Sequence, residues 1–158
     1  MQNLFNFDKL NFITAGMPLR TGKGSYVSAF DVLKEMNLDG MELEFVHGVR
    51  MNDEHRKFVK EQSKNFVVTA HGPFYINLNS KEEEKIDASV QRIIDTASVA
   101  SQAGAFSITY HAAFYMGADK ETVYNRVKTQ TKRIVDVLER EKIKVWVRPE
   151  TTGKATQW

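Results

Sequence analysis

The feature that most constrains this chain is alternation. Short β-rich apolar runs trade places with longer helical patterns from residue 11 onward. "NFITA" (11–15) reads as a strand. "SYVSAFDVLKEMN" (25–37) reads as a helix with Ser25 as its N-cap. "GMELEFV" (40–46) alternates with period two, and "NDEHRKFVKEQSKN" (52–65) is a short polar helix. "FVVTA" (66–70) is a continuous apolar strand of the kind parallel sheets bury on both faces. The segment 80–104 is the clearest helix, with Ser80 and Glu83 as a capping box, Gly104 as its stop, and a stripe through Ile86, Val90, Ile93, Ala97 and Ala100. "AFSITYH" (105–111) is a strand. A second long helix (119–143) carries the stripe Val123, Val127, Ile134 and Leu138, and "KVWVRPE" (144–150) closes the series as a strand.

Strict alternation implies parallel strands joined by right-handed crossovers. A doubly wound open sheet and a (β/α)8 barrel both satisfy it. The loops separate them. "AGMP", "HGPFY", "HAAFYMG" and "PETTG" each follow a strand, whereas the turns after the helices are plain. Decoration spread over several strand ends suits a barrel whose site is built from loops at the C-terminal face. A dinucleotide-binding sheet would concentrate a glycine signature at its first turn, and "GKGS" (22–25) has the wrong spacing for a phosphate loop.

Eight β/α units need roughly 250 residues, and this sequence has 158. The expectation is an α/β chain forming the N-terminal part of a single TIM-barrel domain over 1–158, about its first five units. The other reading is an open sheet complete as it stands. A truncated barrel would leave two sheet edges and an apolar interior open, and so a tendency to self-associate.

Composition narrows the chemistry. Lys and Arg total 22 against 20 Asp and Glu, so net charge alone does not argue for a nucleic-acid partner. Cysteine is absent, which excludes disulfides and thiolate metal sites and leaves His, Asp and Glu to hold any metal. No apolar run approaches membrane-spanning length, so no membrane partner is expected. The start "MQNLFNFDKLNF" has neither a basic region nor an apolar run of the secretory type. A cytoplasmic location is the expectation.

Three strand ends carry potential ligands. His71 closes the third strand, His111 the fourth and Glu150 the fifth, at intervals of 40 (111 − 71) and 39 (150 − 111) residues, about one β/α unit each. Neighbouring strands lie about 4.8 Å apart, so inward-leaning side chains from these positions can converge on one ion. Two His and one Glu form a known catalytic zinc set that leaves a position open for water. A single strand-end histidine is more often a hydrogen-bonded core residue, and that alternative stands for each residue taken alone.

Taken together, "ITAGMPL", "DGMELEFVHGV", "HGPFYINLNS", "YHAAFY" and "RPETTGK" resemble the endonuclease IV family. These are apurinic/apyrimidinic endonucleases with a xylose-isomerase-like barrel, and the likeness is nearest to the archaeal-type branch. It runs from the first strand to Trp158 and covers a little over the first half of a family member. The resemblance implies a three-zinc hydrolase of DNA repair that cuts the backbone of double-stranded DNA on the 5′ side of an abasic site. It places metal ligation on His71, His111 and Glu150, with Glu150 also catalytic, as a bridge between two ions. The family's remaining ligands lie on later strands, so this chain holds at most one full ligand set and is expected to be inactive or nearly so alone. "HAAF" stands where the family usually has His-Pro-Gly, which keeps the ligand and alters the DNA-facing loop.

Phe74 and Tyr75 resemble the residues such nucleases push into the duplex at the lesion. The alternative for Phe74 is packing under its own loop. Arg50, Lys23 and Lys154 lie in loops at the same end and are candidate phosphate contacts. Glu44 is a candidate partner for a ligand histidine, shared with the alternative of a buried structural glutamate for Glu42 and Glu44. His47 borders the site, His55 reads as part of a solvated helix face, and Asn77 and Asn79 as loop-turning residues. The rival function is a sugar isomerase or epimerase on the same barrel, expected to use a single Mn, Mg or Co ion.

Overall fold

The computed structural model describes residues 10–158. Most of the N-terminal stretch that spoke against a secretory leader therefore lies outside the described residues. The elements are β1 (Ile13–Ala15), a 3-10 turn (Leu19–Thr21), α1 (Tyr26–Glu35), β2 (Gly40–Glu44), α2 (Asp53–Gln62), β3 (Val67–His71), α3 (Glu83–Gln102), β4 (Ser107–His111), α4 (Lys120–Arg140) and β5 (Trp146–Glu150). Every strand and helix read from the pattern is present, each shortened at one or both ends except the third strand, which is shifted by one residue to include His71.

The caps show why the helices begin where they do. Ser25 and Ser28 cap α1 reciprocally: the Ser25 hydroxyl accepts from the Ser28 amide at 3.5 Å, and the Ser28 hydroxyl accepts from the Ser25 amide at 2.9 Å. Asn52 caps α2, and Asp119 caps α4. The capping box assigned to Ser80 and Glu83 does not form. Glu82 is the N-cap and Glu83 the first helical residue. Ser80 is drawn instead into the preceding turn, where its amide donates to the Asn77 carbonyl at 3.4 Å and its hydroxyl accepts from the Glu82 amide at 3.2 Å. Gly104 stops α3 as expected. Its φ of +77° is left-handed, and a Cβ there would lie 2.2 Å from Ser63 Oγ, so the position excludes side chains twice over.

The sheet has five parallel strands in the order β1-β2-β3-β4-β5. A doubly wound sheet reverses its strand order at a switch point. A monotonic order is an arc of a barrel, and this chain forms an incomplete one. Met41, Leu43, Val68, Ala70, Ile108 and Tyr110 are buried with the helix stripes, including Leu33, Val59, Ile93, Val123 and Ile134, in one core between sheet and helices. Both long-helix stripes read from the sequence are buried throughout.

The intervening strand residues form the other, concave face. The expectation that this interior would be apolar holds only in part. Hydrogen bonds and register place Glu42, Thr69, Ser107, Thr109 and Arg148 on it, together with Ile13, Ala15, Val67 and Trp146. The strands satisfy period two by putting apolar side chains toward the helices, and the polar strand residues fall on the side of the barrel axis.

Candidate metal centre

His71, His111 and Glu150 end three adjacent strands at one rim of the arc. β3 and β4 run in register through His71↔Thr109, and β4 and β5 through His111↔Glu150. Alternation then turns all three side chains to the concave face. His71 Nε2 lies 3.3 Å from Glu150 Oε2, and His111 Nε2 lies 3.6 Å from the same oxygen. One ligand atom from each residue falls within 4.8 Å of the others. The two rings meet edge to face with centroids 5.3 Å apart. Their side chains are 18% and 30% exposed, and that of Glu150 is 43% exposed, so the cluster is reachable from the mouth yet walled below.

These distances test whether the residues suit a metal. Ligands bonded at about 2.0–2.2 Å in a tetrahedral set stand roughly 3.4 Å from one another. The observed 3.3 and 3.6 Å match that edge. The hydrogen-bond chemistry agrees. His71 Nδ1 sits 2.8 Å from the Gly72 carbonyl oxygen. A carbonyl only accepts, so Nδ1 carries a proton, which in the neutral ring leaves Nε2 a bare lone pair. That lone pair faces a carboxylate oxygen, another acceptor. The contact is favourable only with a cation between or a second proton on the ring. A metal ligand whose other ring nitrogen donates to a backbone carbonyl is the usual arrangement of such histidines.

The loops of the mouth are stitched together by two asparagines that the sequence reading assigned only to turning the chain. Asn79 is almost fully buried. Its amide Nδ2 donates to the Phe114 and Tyr115 carbonyls at 2.8 and 3.1 Å, while its Oδ1 accepts from Arg126 at 2.9 Å. Asn77 Oδ1 accepts from the Asn79 and Phe114 amides. The loop after β3 is thereby tied to the loop after β4. The stretch after β5 joins them through Tyr115 N to Thr156 O and Trp158 N to Ala113 O, both 3.0 Å. The only sequence signal for this was two polar residues alternating with Ile76 and Leu78, both fully buried.

Phe74 is 55% exposed, so it does not pack under its loop. Its ring stands edge to face with His47 at 6.0 Å and with Tyr75 at 5.2 Å. The Arg92 guanidinium sits over the Tyr75 ring, 4.7 Å from its centroid. Arg50, Lys23 and Lys154 are exposed in loops at this same end. Glu44 lies beside His71 in register but makes no hydrogen bond to either histidine among the described residues. The nitrogen it was expected to hold is taken by Gly72. Glu42 fits the structural alternative: it accepts from Thr69 Oγ1 at 3.1 Å. Burial pushes its carboxyl above the usual range, against the smaller pull of Thr69 and His71. His55 departs from the solvated face assigned to it and packs edge to face on Tyr26 at 5.1 Å.

A parallel arc with ligands and loops at the C-terminal ends of its strands defines a metal-capable β/α-barrel protein. The chain belongs to the xylose isomerase-like TIM barrel family, whose model matches residues 30–157. It is 45% identical over 149 residues to an uncharacterized protein of Methanocaldococcus jannaschii, a match covering 94% of this chain and 54% of that protein. Among solved structures it is similar to endonuclease IV from Thermus thermophilus (TM-score 0.62, 17% identity, 93% of this chain and 53% of that one). It is similar too to a 3-keto-D-glucoside 4-epimerase from E. coli (TM-score 0.67, 17% identity, 94% and 59%). At these identities the solved structures speak to the fold alone. The chain spans about half the length of the proteins it matches.

Proposed function

We propose that the complete protein to which this half-barrel corresponds is a zinc-dependent endonuclease that hydrolyses DNA on the 5′ side of abasic sites. The observation that carries the proposal is the convergence of His71, His111 and Glu150 on one point. Two imidazoles and a carboxylate without any thiolate suit zinc in an open, catalytic site. When bound, the ion supplies an ionised water at neutral pH and takes up charge on the phosphate oxygens.

The chain's own residues then have separable tasks. His71 is oriented by its bond to the Gly72 carbonyl, so Nε2 points to the mouth. Glu150 lies within reach of both histidines through one oxygen, Oε2, and would hold the same ion as they do. Phe74 and Tyr75 present exposed aromatic rings in the loop that follows His71. Such rings suit a duplex kinked at a position where no base has to be unstacked. Arg50, Lys23 and Lys154 offer cations to the flanking phosphates.

The test joins this chain to the remaining strands of its family and presents a duplex with one abasic site. Zinc-dependent incision, lost in Glu150→Gln, supports the reading. The same barrel carries sugar epimerases, so epimerisation of a sugar without incision overturns it. Three zinc ions per complete protein are expected, against a single ion in the epimerase case.

A further inference from the structure

We infer that Arg92 is a positioning residue: it clamps the Tyr75 ring as a fixed platform at the rim and leaves Phe74 as the ring free to move onto a ligand. The clamp stands on its own, whereas its bearing on abasic DNA rests on the nuclease reading above.

The aromatic pair is the tip of a loop pinned on both sides. Pro73 and Ile76, which flank it, are buried. The Gly72 amide donates to the Thr109 carbonyl at 2.8 Å, and the Asn77 amide donates to Ser89 Oγ at 3.1 Å. Ser89, Arg92 and Thr96 follow one another on α3 at steps of three and four, so they share one stripe of the helix. That stripe faces the loop. Ser89 holds Asn77 at one end, and at the other a Cβ on Gly72 would lie 3.6 Å from Thr96 Oγ1.

Between these two points Arg92, half-buried, lays its guanidinium over the Tyr75 ring. Among the described residues that guanidinium has neither a carboxylate nor a hydrogen-bond acceptor as partner. Its attraction to the face of the ring is therefore what fixes both side chains. The ring reaches across to the loop after β2, where a Cβ on Gly48 would lie 3.7 Å from the Tyr75 hydroxyl. Phe74 is held differently. Its ring partners are the perpendicular Tyr75 and the exposed His47, and it is the more open of the pair, 55% exposed against 40%. A side chain fixed beforehand does not have to be immobilised on binding, which is worth roughly threefold to tenfold in affinity.

Amide hydrogen exchange in the chain itself tests the clamp without DNA or metal. Arg92→Gln should speed exchange across residues 74–77 about fivefold and leave α4 unchanged. Arg92→Lys keeps a cation over the ring and should restore most of the protection. Parent-like exchange in Arg92→Gln, or no rescue by lysine, overturns the inference. So does faster exchange in Phe74→Ala, which would make Phe74 part of the clamp. In the barrel completed with its remaining strands, affinity for an abasic duplex should fall about fivefold in Arg92→Gln with its salt dependence unchanged. Combining Arg92→Gln with Tyr75→Leu should lose no more than Tyr75→Leu alone. Additive losses, or a salt slope smaller by about one, would put Arg92 on a phosphate and overturn the positioning role. A completed barrel that binds no abasic duplex sinks the nuclease reading, and the exchange result still decides the clamp.

Discussion

Replacing Glu150 by Gln isolates the metal reading at a single atom type. The amide keeps the size of the carboxylate and an oxygen where Oε2 stands, 3.3 Å from His71 Nε2 and 3.6 Å from His111 Nε2. What it removes is the negative charge, the only anion in the cluster. Outer-shell partners of a metal site are worth roughly 10–100-fold in affinity. A charged ligand in direct contact should be worth more, so zinc affinity is expected to fall by at least about 100-fold. Titration calorimetry on the isolated chain measures this directly. The variant should fold as the parent does, because the Glu150 side chain is 43% exposed and the substitution keeps its size. Parent-like zinc affinity in Glu150→Gln, with the stoichiometry unchanged, would show that the ion sits elsewhere and that the convergence of the three residues is fortuitous.

Three further outcomes test the surroundings of the site. Asn79→Ala empties a buried side-chain position and leaves two half-buried carbonyls and the exposed Arg126 without their partner. It should cost about 2–4 kcal/mol in denaturant unfolding, with faster hydrogen exchange in the loops after β3 and β4. Glu42→Gln keeps an acceptor for Thr69 while removing a carboxyl whose ionisation burial opposes. A carboxyl raised in the fold binds more protons there than in the unfolded chain, so its contribution to stability falls as pH rises above the ordinary value of 4.5. The variant should therefore melt about 1–2 °C higher near neutral pH, discounted for partial exposure, and show no gain below that value. Phe74→Ala should change stability by less than about 0.5 kcal/mol, yet weaken binding of the completed enzyme to an abasic duplex relative to an intact one in a filter or anisotropy assay.

The arc was legible because its physics is local. Two long helices carry apolar stripes at steps of three and four, and each strand run is bounded by turn chemistry, so alternation alone gave the parallel order. The failures were also local in kind. Ser80 has the sequence of a capping box, but its hydroxyl was claimed by a turn that Asn77 and Asn79 organise. Nothing in one chain's sequence marks a buried asparagine that bridges two loops 35 residues apart, because its partners are backbone carbonyls that carry no residue identity.

The three ligands were legible for a different reason: strand ends recur at about one unit's spacing, and parallel register gathers them at one rim, His111 beside Glu150 and His71 two residues below, opposite Thr109. The same rule misled for Glu44, which stands at that rim beside His71. Height places a side chain at the rim, but which groups touch is settled by the hydrogen bonds left open. His71 spends Nδ1 on the Gly72 carbonyl of its own loop, and so presents only Nε2 to the cluster. A neighbouring carboxylate then has no donor to accept from, and Glu44 remains at the rim without a bond to the ring. The polar concave face follows a related logic. A sequence shows that Glu42, Thr69, Ser107 and Arg148 alternate with apolar residues, but not which set faces the axis. The helices decide it: each packs its stripe on one side of the sheet, and the polar set is left to the concave face.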